Sequence, residues 1–287
     1  MKLPTGDSYF NIKSVLRESN LYTVCEEANC PNISECWEGG TATFMLLGDS
    51  CTRGCRFCNV KTGNPKGLVD ENESEKIAGV ISKLGLRYAV LTAVARDDLA
   101  DGGASHFAKT IDAIHNLDPS ILVEALIPDF SNDLDSLKIV VDSLPTVIAH
   151  NIETTRSLTS KVRDPRAGYH QSLSVLRNVK KFNRNLFTKS SIMLGLGETD
   201  EEVLNTMKDL RDSDVDMLTI GQYMQPSTLH LDVIEYVKPE RFKELQEIGE
   251  SMGFIYVAAG PLVRSSYRAG ELFVEKIIKK RHDWRVR

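Results

Sequence analysis

No cysteine follows Cys58 in this chain of 287 residues. All six lie between Cys25 and Cys58, far too clustered to staple the whole protein. Disulfides suit small secreted domains that lack a core. Here 41% of the residues are hydrophobic, enough to build a core, and MKLPTGDSYFNIK has no apolar stretch of a secretory signal. Also missing is any apolar run near the roughly 18–20 residues of a membrane span. Basic excess is absent: the formal net charge is −5, which argues against coating nucleic acid. The six histidines form no H-E-x-x-H pair, and no serine, histidine and aspartate set suggests acyl transfer. Arg17 with Asp7 and Glu18 is a poor match to an Arg-rich, acid-poor transit peptide, so the expected home is a reducing cytoplasm.

What the chain does have is two cysteine triplets. Cys25, Cys30 and Cys36 are spaced C-x4-C-x5-C, and Cys51, Cys55 and Cys58 are spaced C-x3-C-x2-C. Structural zinc needs four ligands, often from paired C-x2-C units; only Cys55 and Cys58 have that separation, with no histidine nearby. Three thiolates on a short loop suit three irons of a [4Fe–4S] cluster and leave the fourth iron open.

Apolar runs and helical patterns alternate along the rest. Strand-like runs cover 42–47, 88–94, 121–127, 147–150, 187–194 and 217–220. Helical periodicity covers 73–84, 105–117, 133–144, 171–182, 201–211 and 239–252. The strand runs carry little charge, as parallel strands covered on both faces do. Six β-then-α units predict an α/β fold with a parallel sheet, in one domain. In such folds the active site lies at the C-terminal ends of the strands. The second triplet follows the first run. Arg96, Asp97 and Asp98 follow the second, Asp129 the third, and Asn151, Glu153, Arg163, Asp164 and Arg166 the fourth. Gly195 and Gly197 follow the fifth, and Gln222, Tyr223 and Gln225 the sixth.

C-x3-C-x2-C after a first strand is similar to the signature of radical S-adenosylmethionine enzymes. The resemblance narrows with Thr23-Val-Cys25-Glu-Glu-Ala-Asn-Cys30-Pro-Asn-Ile-Ser-Glu-Cys36-Trp and Gly48-Asp-Ser-Cys51-Thr-Arg-Gly-Cys55-Arg-Phe-Cys58. With Arg96-Asp-Asp98, Val162-Arg-Asp164, Gln222-Tyr223 and Arg264-Ser-Ser-Tyr267, the chain resembles the lipoyl synthase family from about Leu21 to about Tyr267. The resemblance implies a partial (β/α)6 TIM-type barrel over residues 41–260. A cluster-binding arm over 1–40 would precede it and a tail over 261–287 would follow.

It also implies two [4Fe–4S] clusters and S-adenosylmethionine. Cys51, Cys55 and Cys58 would hold the cluster that binds S-adenosylmethionine, which cleaves to a 5′-deoxyadenosyl radical. Cys25, Cys30 and Cys36 would hold an auxiliary cluster, with Ser265 as its fourth ligand and the cluster as sulfur donor. A serine oxygen is a harder, less well matched ligand than thiolate. The implied reaction inserts sulfur at C6 and C8 of an octanoyl chain on a carrier lysine.

The implied partners are the octanoylated lipoyl carrier domains of 2-oxoacid dehydrogenase E2 and the glycine cleavage H protein. A flavodoxin or ferredoxin reductant and a cluster-repair carrier complete the set. For the cofactor itself, Asn151 and Glu153 suit the two ribose hydroxyls and Arg166 the methionine carboxylate. Gly195 and Gly197 suit a tight turn that lets backbone approach the adenine. The Gly195-Leu-Gly197-Glu-Thr-Asp run lacks the third glycine of G-x-G-x-x-G, and Asp200, Glu201 and Glu202 would repel a pyrophosphate. His150 and His170 read as structural.

Family members commonly have a longer arm with an Arg-Lys-Pro-x-Trp segment, which this sequence does not include. Ala93 and Ala95 stand where many members carry polar residues. Two other classes compete: another radical sulfur-inserting or methylthio-transferring enzyme, and a two-cluster electron carrier. The first triplet and Arg264-Ser-Ser-Tyr267 speak against the former. The scarcity of fourth cysteines speaks against the latter.

Overall fold

Alternation of short apolar runs with amphipathic ones produces strands and helices in turn, here in a computed structural model that describes residues 7–27, 30, 32–38 and 41–266. The chain opens with α1 (Asp7–Glu18), β1 (Tyr22–Thr23), α2 (Val24–Glu27) and α3 (Ile33–Glu38). β2 (Ala42–Leu46) follows, then β3 (Ser50–Cys51) and β4 (Lys61–Thr62), which pair with each other. Strands and helices then alternate: α4 (Glu73–Lys83), β5 (Tyr88–Ala93), α5 (Ala104–Leu117), β6 (Leu122–Leu126), α6 (Leu134–Asp142) and β7 (Val147–Ala149). The series ends with α7 (Thr159–Val162), α8 (Tyr169–Phe182), β8 (Phe187–Leu194), α9 (Asp200–Arg211), β9 (Met217–Gln222), α10 (Pro239–Ser251) and β10 (Tyr256–Gly260). All six expected strands and all six expected helices are present. β10 adds a seventh parallel strand that the sequence reading did not include.

The sheet order is β1-β2-β5-β6-β7-β8-β9-β10, with every pair parallel except β1 with β2. Curvature follows from a short connection. Six strand spacings of about 4.8 Å would put β2 and β10 of a flat sheet roughly 29 Å apart. Yet Ser266, six residues past the end of β10, is hydrogen-bonded to Thr43 of β2 at 3.0 Å. Six extended residues reach at most about 22 Å, and turns at 261–262 and 265–266 make this segment much shorter than that, so the sheet curls until its ends face each other, as a partial barrel does.

Alternate strand residues face opposite ways. Ala89 and Leu91 of β5 join the large core under α4, α5 and α6, whereas Tyr88 and Val90 meet Val147, Phe187 and Met217 in a separate cluster. Near that second cluster Lys189 pairs with Glu124 at 2.8 Å, and Tyr88 donates to the same carboxylate. The arm is not a loose appendage. Ile12, Val15 and Leu16 of α1 share the large core, and β1 extends the sheet. Asp200, Glu201 and Glu202 begin α9, where Thr199 and Glu202 form a capping box. That acidic run therefore belongs to the helix start. Tyr267 and the rest of the expected tail, to residue 287, lie outside the described residues.

Candidate active site

After β2 the chain turns through Leu47 and Gly48, both at positive φ, and delivers Cys51 to the C-terminal edge of the sheet. The Cys51 sulfur accepts from the Ala95 and Arg53 amides at 3.3 and 3.4 Å, and the Cys55 sulfur from the Asp164 amide at 3.3 Å. The Cys58 sulfur accepts from the Val60 amide. Burial pushes the Cys55 thiol up and the Cys58 thiol up to about 12, and the three sulfurs act on one another electrostatically. Such thiols would stay protonated without a metal and would release their protons when iron binds.

The loop between these cysteines is tied down by a chain of alternating charge. Arg53 is 7% exposed and makes paired bonds to Asp129 (2.6 and 2.8 Å) and to Asp97 (2.8 and 3.0 Å). Burial works against the Arg53 charge, but the two carboxylates raise its affinity for the proton overall. Arg166 bonds Asp164, Asp97 and the Thr52 carbonyl. Its guanidinium holds the Asp164 carboxyl well below the usual range, and Asp164 in turn accepts from the Gly54 amide at 2.8 Å. Opposite, Leu231 donates to the Arg56 carbonyl and His230 bonds the Cys58 carbonyl at 3.0 Å.

Asn151 and Glu153 do share one side, as their spacing predicts. The Asn151 amide donates to the Glu153 carboxylate. Glu153 sits at φ 69° in an isolated bridge to Ile192 of β8, a strained conformation. Burial raises the Glu153 carboxyl, opposed by Arg163, and its charge acts on Cys55 and Cys58. The Asn151 Oδ1 is buried without a hydrogen-bond partner. A buried acceptor beside a buried carboxylate and three thiols fits a polar ligand such as a ribose hydroxyl.

Arg166, expected at the methionine carboxylate, lies against the cysteine loop. It is half-exposed and engaged by the loop itself, whereas the buried guanidinium acting on Cys55, Glu153 and His150 is Arg163. Gly195 (φ 98°) and Gly197 (φ 104°) do form a tight turn. The groups that crowd Gly195 are the chain's own: a Cβ there would meet Gln222 Nε2 at 2.2 Å and the Glu235 carbonyl at 2.4 Å. Gln222 is fully used, donating to Tyr223 and Glu235 and accepting from Val237. His150 is buried between the Ile127 carbonyl and Ser172 Oγ, and burial, with Arg163, lowers its pKa to about 4.

The first triplet lies on α2, α3 and the segment between them. Cys25 and Cys36 are buried beside Trp37. Burial pushes the Cys25 thiol up to about 12, with the charges of Cys30 and Cys36 adding to the rise, while the Thr43 amide and Trp37 indole donate to its sulfur. Residues 261–266 cross to this triplet. Asn32 Nδ2 donates to the Leu262 carbonyl at 2.6 Å, Arg264 acts on Cys30, and Ser266 bonds Thr43. Ser265 therefore stands between a residue directed at Cys30 and one bonded to the Cys25 partner. Asn59 of the second triplet's loop donates to the Glu27 carbonyl, linking the two loops.

All six cysteines are outside disulfides. Among the described residues no three His, Cys, Asp or Glu side chains gather closely enough for a single metal ion. Three thiols in each triplet, acting on one another's charge, fit the thiolate ligation of an iron–sulfur cluster.

The Radical SAM superfamily model matches residues 45–210, and the model of the N-terminal domain of lipoyl synthase matches residues 1–30. Lipoyl synthase of Thermus thermophilus is 58% identical over 95% of this chain and 84% of that protein. The chain belongs to the lipoyl synthase family. Mitochondrial lipoyl synthases of Schizosaccharomyces pombe (58% identical, 98% of this chain, 77% of that one) and Drosophila ananassae (57%, 97% and 76%) agree. Solved structures are similar in fold alone. The FeFe-hydrogenase maturase HydG from Carboxydothermus hydrogenoformans matches with TM-score 0.58 at 13% identity, over 93% of this chain and 70% of that one. Methylornithine synthase matches with TM-score 0.57 at 12% identity, over 85% and 69%. Within the lipoyl synthase family this chain is a radical SAM sulfur-inserting enzyme. No helix among the described residues is long and apolar enough to cross a membrane.

Arg53, Asp129 and Arg163 stand in the motifs and strand-end loops that the sequence points to, without a role assigned to them; His230 is not among those residues. Charge next to a motif was visible for the first three, but burial was not.

Proposed function

We propose that this chain inserts two sulfur atoms, at C6 and C8, into an octanoyl group borne on a carrier-domain lysine. Cys51, Cys55 and Cys58 hold one [4Fe–4S] cluster; Cys25, Cys30, Cys36 and Ser265 hold the other. When bound, the cluster on Cys51, Cys55 and Cys58 would supply hydrogen-abstracting radical chemistry with S-adenosylmethionine, and the cluster on Cys25, Cys30 and Cys36 would supply sulfur. Residues 1–40 form the arm, 41–260 the barrel and 261–287 the tail.

The observation that carries this reading is the meeting of the first triplet with the strand-to-tail segment around Ser265, 230 residues away along the chain by the Asn32–Leu262 bond. A cluster site closed by a distant oxygen ligand suits a cluster that must come apart. The remaining assignments follow the local chemistry. Asn151 and Glu153 bind the ribose hydroxyls through the unpartnered Oδ1 and the buried carboxylate. Arg163 supplies positive charge beside the second triplet. Arg166 holds the loop through Asp164 and Thr52, and Gly195 and Gly197 shape the rim. Octanoylated E2 and H-protein domains are the carriers, flavodoxin or ferredoxin the reductant, and a cluster carrier rebuilds the spent site. Free thiols favour a reducing compartment such as the cytoplasm.

The test is an anaerobic reaction of the reconstituted protein with S-adenosylmethionine, a strong reductant and an octanoyl-lysyl peptide, read by mass spectrometry. A lipoyl peptide formed together with deoxyadenosine is expected. Deoxyadenosine with an unmodified peptide contradicts the assignment.

A further inference from the structure

Gly221 is the second-last residue of the fully buried strand β9, where its backbone is paired on both sides, opposite Met193 of β8 and Gly260 of β10. A Cβ on Gly221 would stand 2.1 Å from the Val263 carbonyl oxygen and 3.5 Å from an Arg264 guanidinium nitrogen. That nitrogen also donates to the Val263 carbonyl at 2.7 Å. The segment 261–266 thus rests on the one face of β9 left bare by the missing side chain. From that seat it runs to Asn32 and Thr43, its two side-chain anchors on the arm and on β2.

We propose that Gly221 is a positioning residue for Ser265: its bare backbone seats the Val263 carbonyl and so sets where the next two residues meet the first cysteine triplet. The inference rests on the reading of Ser265 as the auxiliary cluster's fourth ligand. The direction of yielding is decided by the surroundings. β9 is held between two parallel strands, whereas 261–266 belongs to no helix or strand. Contacts under 3.0 Å force a shift, so a methyl at 221 moves the carbonyl by roughly 1 Å, and Ser265 with it. A displacement of that size costs on the order of 100-fold in rate where it misplaces a reacting group.

The experiment compares Gly221→Ala, Ser266→Ala and Ser265→Ala. Each is made in the full chain with Cys51, Cys55 and Cys58 replaced by alanine, so that only the first triplet loads iron. Mössbauer spectra report whether one iron is distinct from the other three. Ser266→Ala removes the bond to Thr43 of β2 and leaves β9 and its strand neighbours unaltered, which covers the case of a Gly221→Ala chain that fails to fold. Gly221→Ala and Ser266→Ala are expected to move the spectrum toward that of Ser265→Ala. With the second triplet intact, Gly221→Ala should form deoxyadenosine within about 2-fold of the parent while lipoyl product falls about 100-fold. A parent-like spectrum in both variants, with Ser265→Ala distinct, overturns the positioning role. A parent-like spectrum in all three, Ser265→Ala included, overturns the ligand reading beneath it.

Discussion

The two cysteine triplets have the same number of thiols and are held in opposite ways. Cys51, Cys55 and Cys58 lie on a loop clamped by side chains of the rigid sheet edge: Arg53 to Asp129 and Asp97, and Asp164 to Gly54. Cys25 and Cys36 lie on helices of four and six residues with Cys30 between them, packed by Trp37 and closed by a segment anchored through Asn32 and Thr43. Helices that short have little stability of their own. The first arrangement suits a cluster that survives many turnovers. The second suits one that is dismantled and rebuilt.

Separating the two triplets by substitution gives the largest expected effect. Cys51→Ala should abolish deoxyadenosine formation. Cys25→Ala should retain it and yield no lipoyl product. Lipoyl product from Cys25→Ala, read by mass spectrometry, would break the division of labour.

The clamp comes next. Arg53→Met strands Asp129, which burial alone would raise and which its bond with Arg53 holds below the usual carboxylate range. Removing one partner of a buried pair costs about 3–5 kcal/mol. Urea unfolding of the apoprotein should show that loss, while iron loading of the first triplet is unchanged. Equal loss of loading at both triplets would mean that they are not independently supported.

Acid sharpens the contrast on the barrel side. His150 is lowered from 6.5 to about 4 by burial. Below pH 6.5 the unfolded chain therefore binds a proton that the folded one refuses. Stability from this residue is intact above pH 6.5 and is lost as pH falls toward 4, by roughly 3 kcal/mol in total. Comparing the pH dependence of unfolding with that of His150→Gln checks this; identical slopes would contradict it. The smallest effect belongs to the arm. Asn32→Ala should cost about 1 kcal/mol. It should speed iron loss from the first triplet to a chelator about 5-fold, and leave the second triplet unchanged.

Much of this contrast was legible in the sequence, because apolar runs and cysteine spacing are local signals. The strand from 187 to 194 and the helix starting at Pro239 are visible from their own residues. Tyr256-Val-Ala-Ala-Gly260 was missed because its last three residues, Ala-Ala-Gly, carry little strand preference of their own and are held by pairing with β9. The helices carrying the first triplet span too few residues to show a period. Arg163 and Arg166 look equivalent in Arg-Asp-Pro-Arg; only burial distinguishes the one beside Glu153 from the one at the surface. Gly221 follows the strand-like run read as 217–220, and nothing local reveals the carbonyl that sits on it.

The central claim is that the first triplet's cluster is consumed as sulfur donor. The most direct measurement is one anaerobic turnover on an octanoyl-lysyl peptide, using protein whose clusters were reconstituted with heavy-isotope sulfide in unlabelled buffer. The account predicts a lipoyl peptide with both sulfurs heavy and one cluster's iron released per chain. A lipoyl peptide with light sulfur, or product formed with both clusters intact, would contradict it.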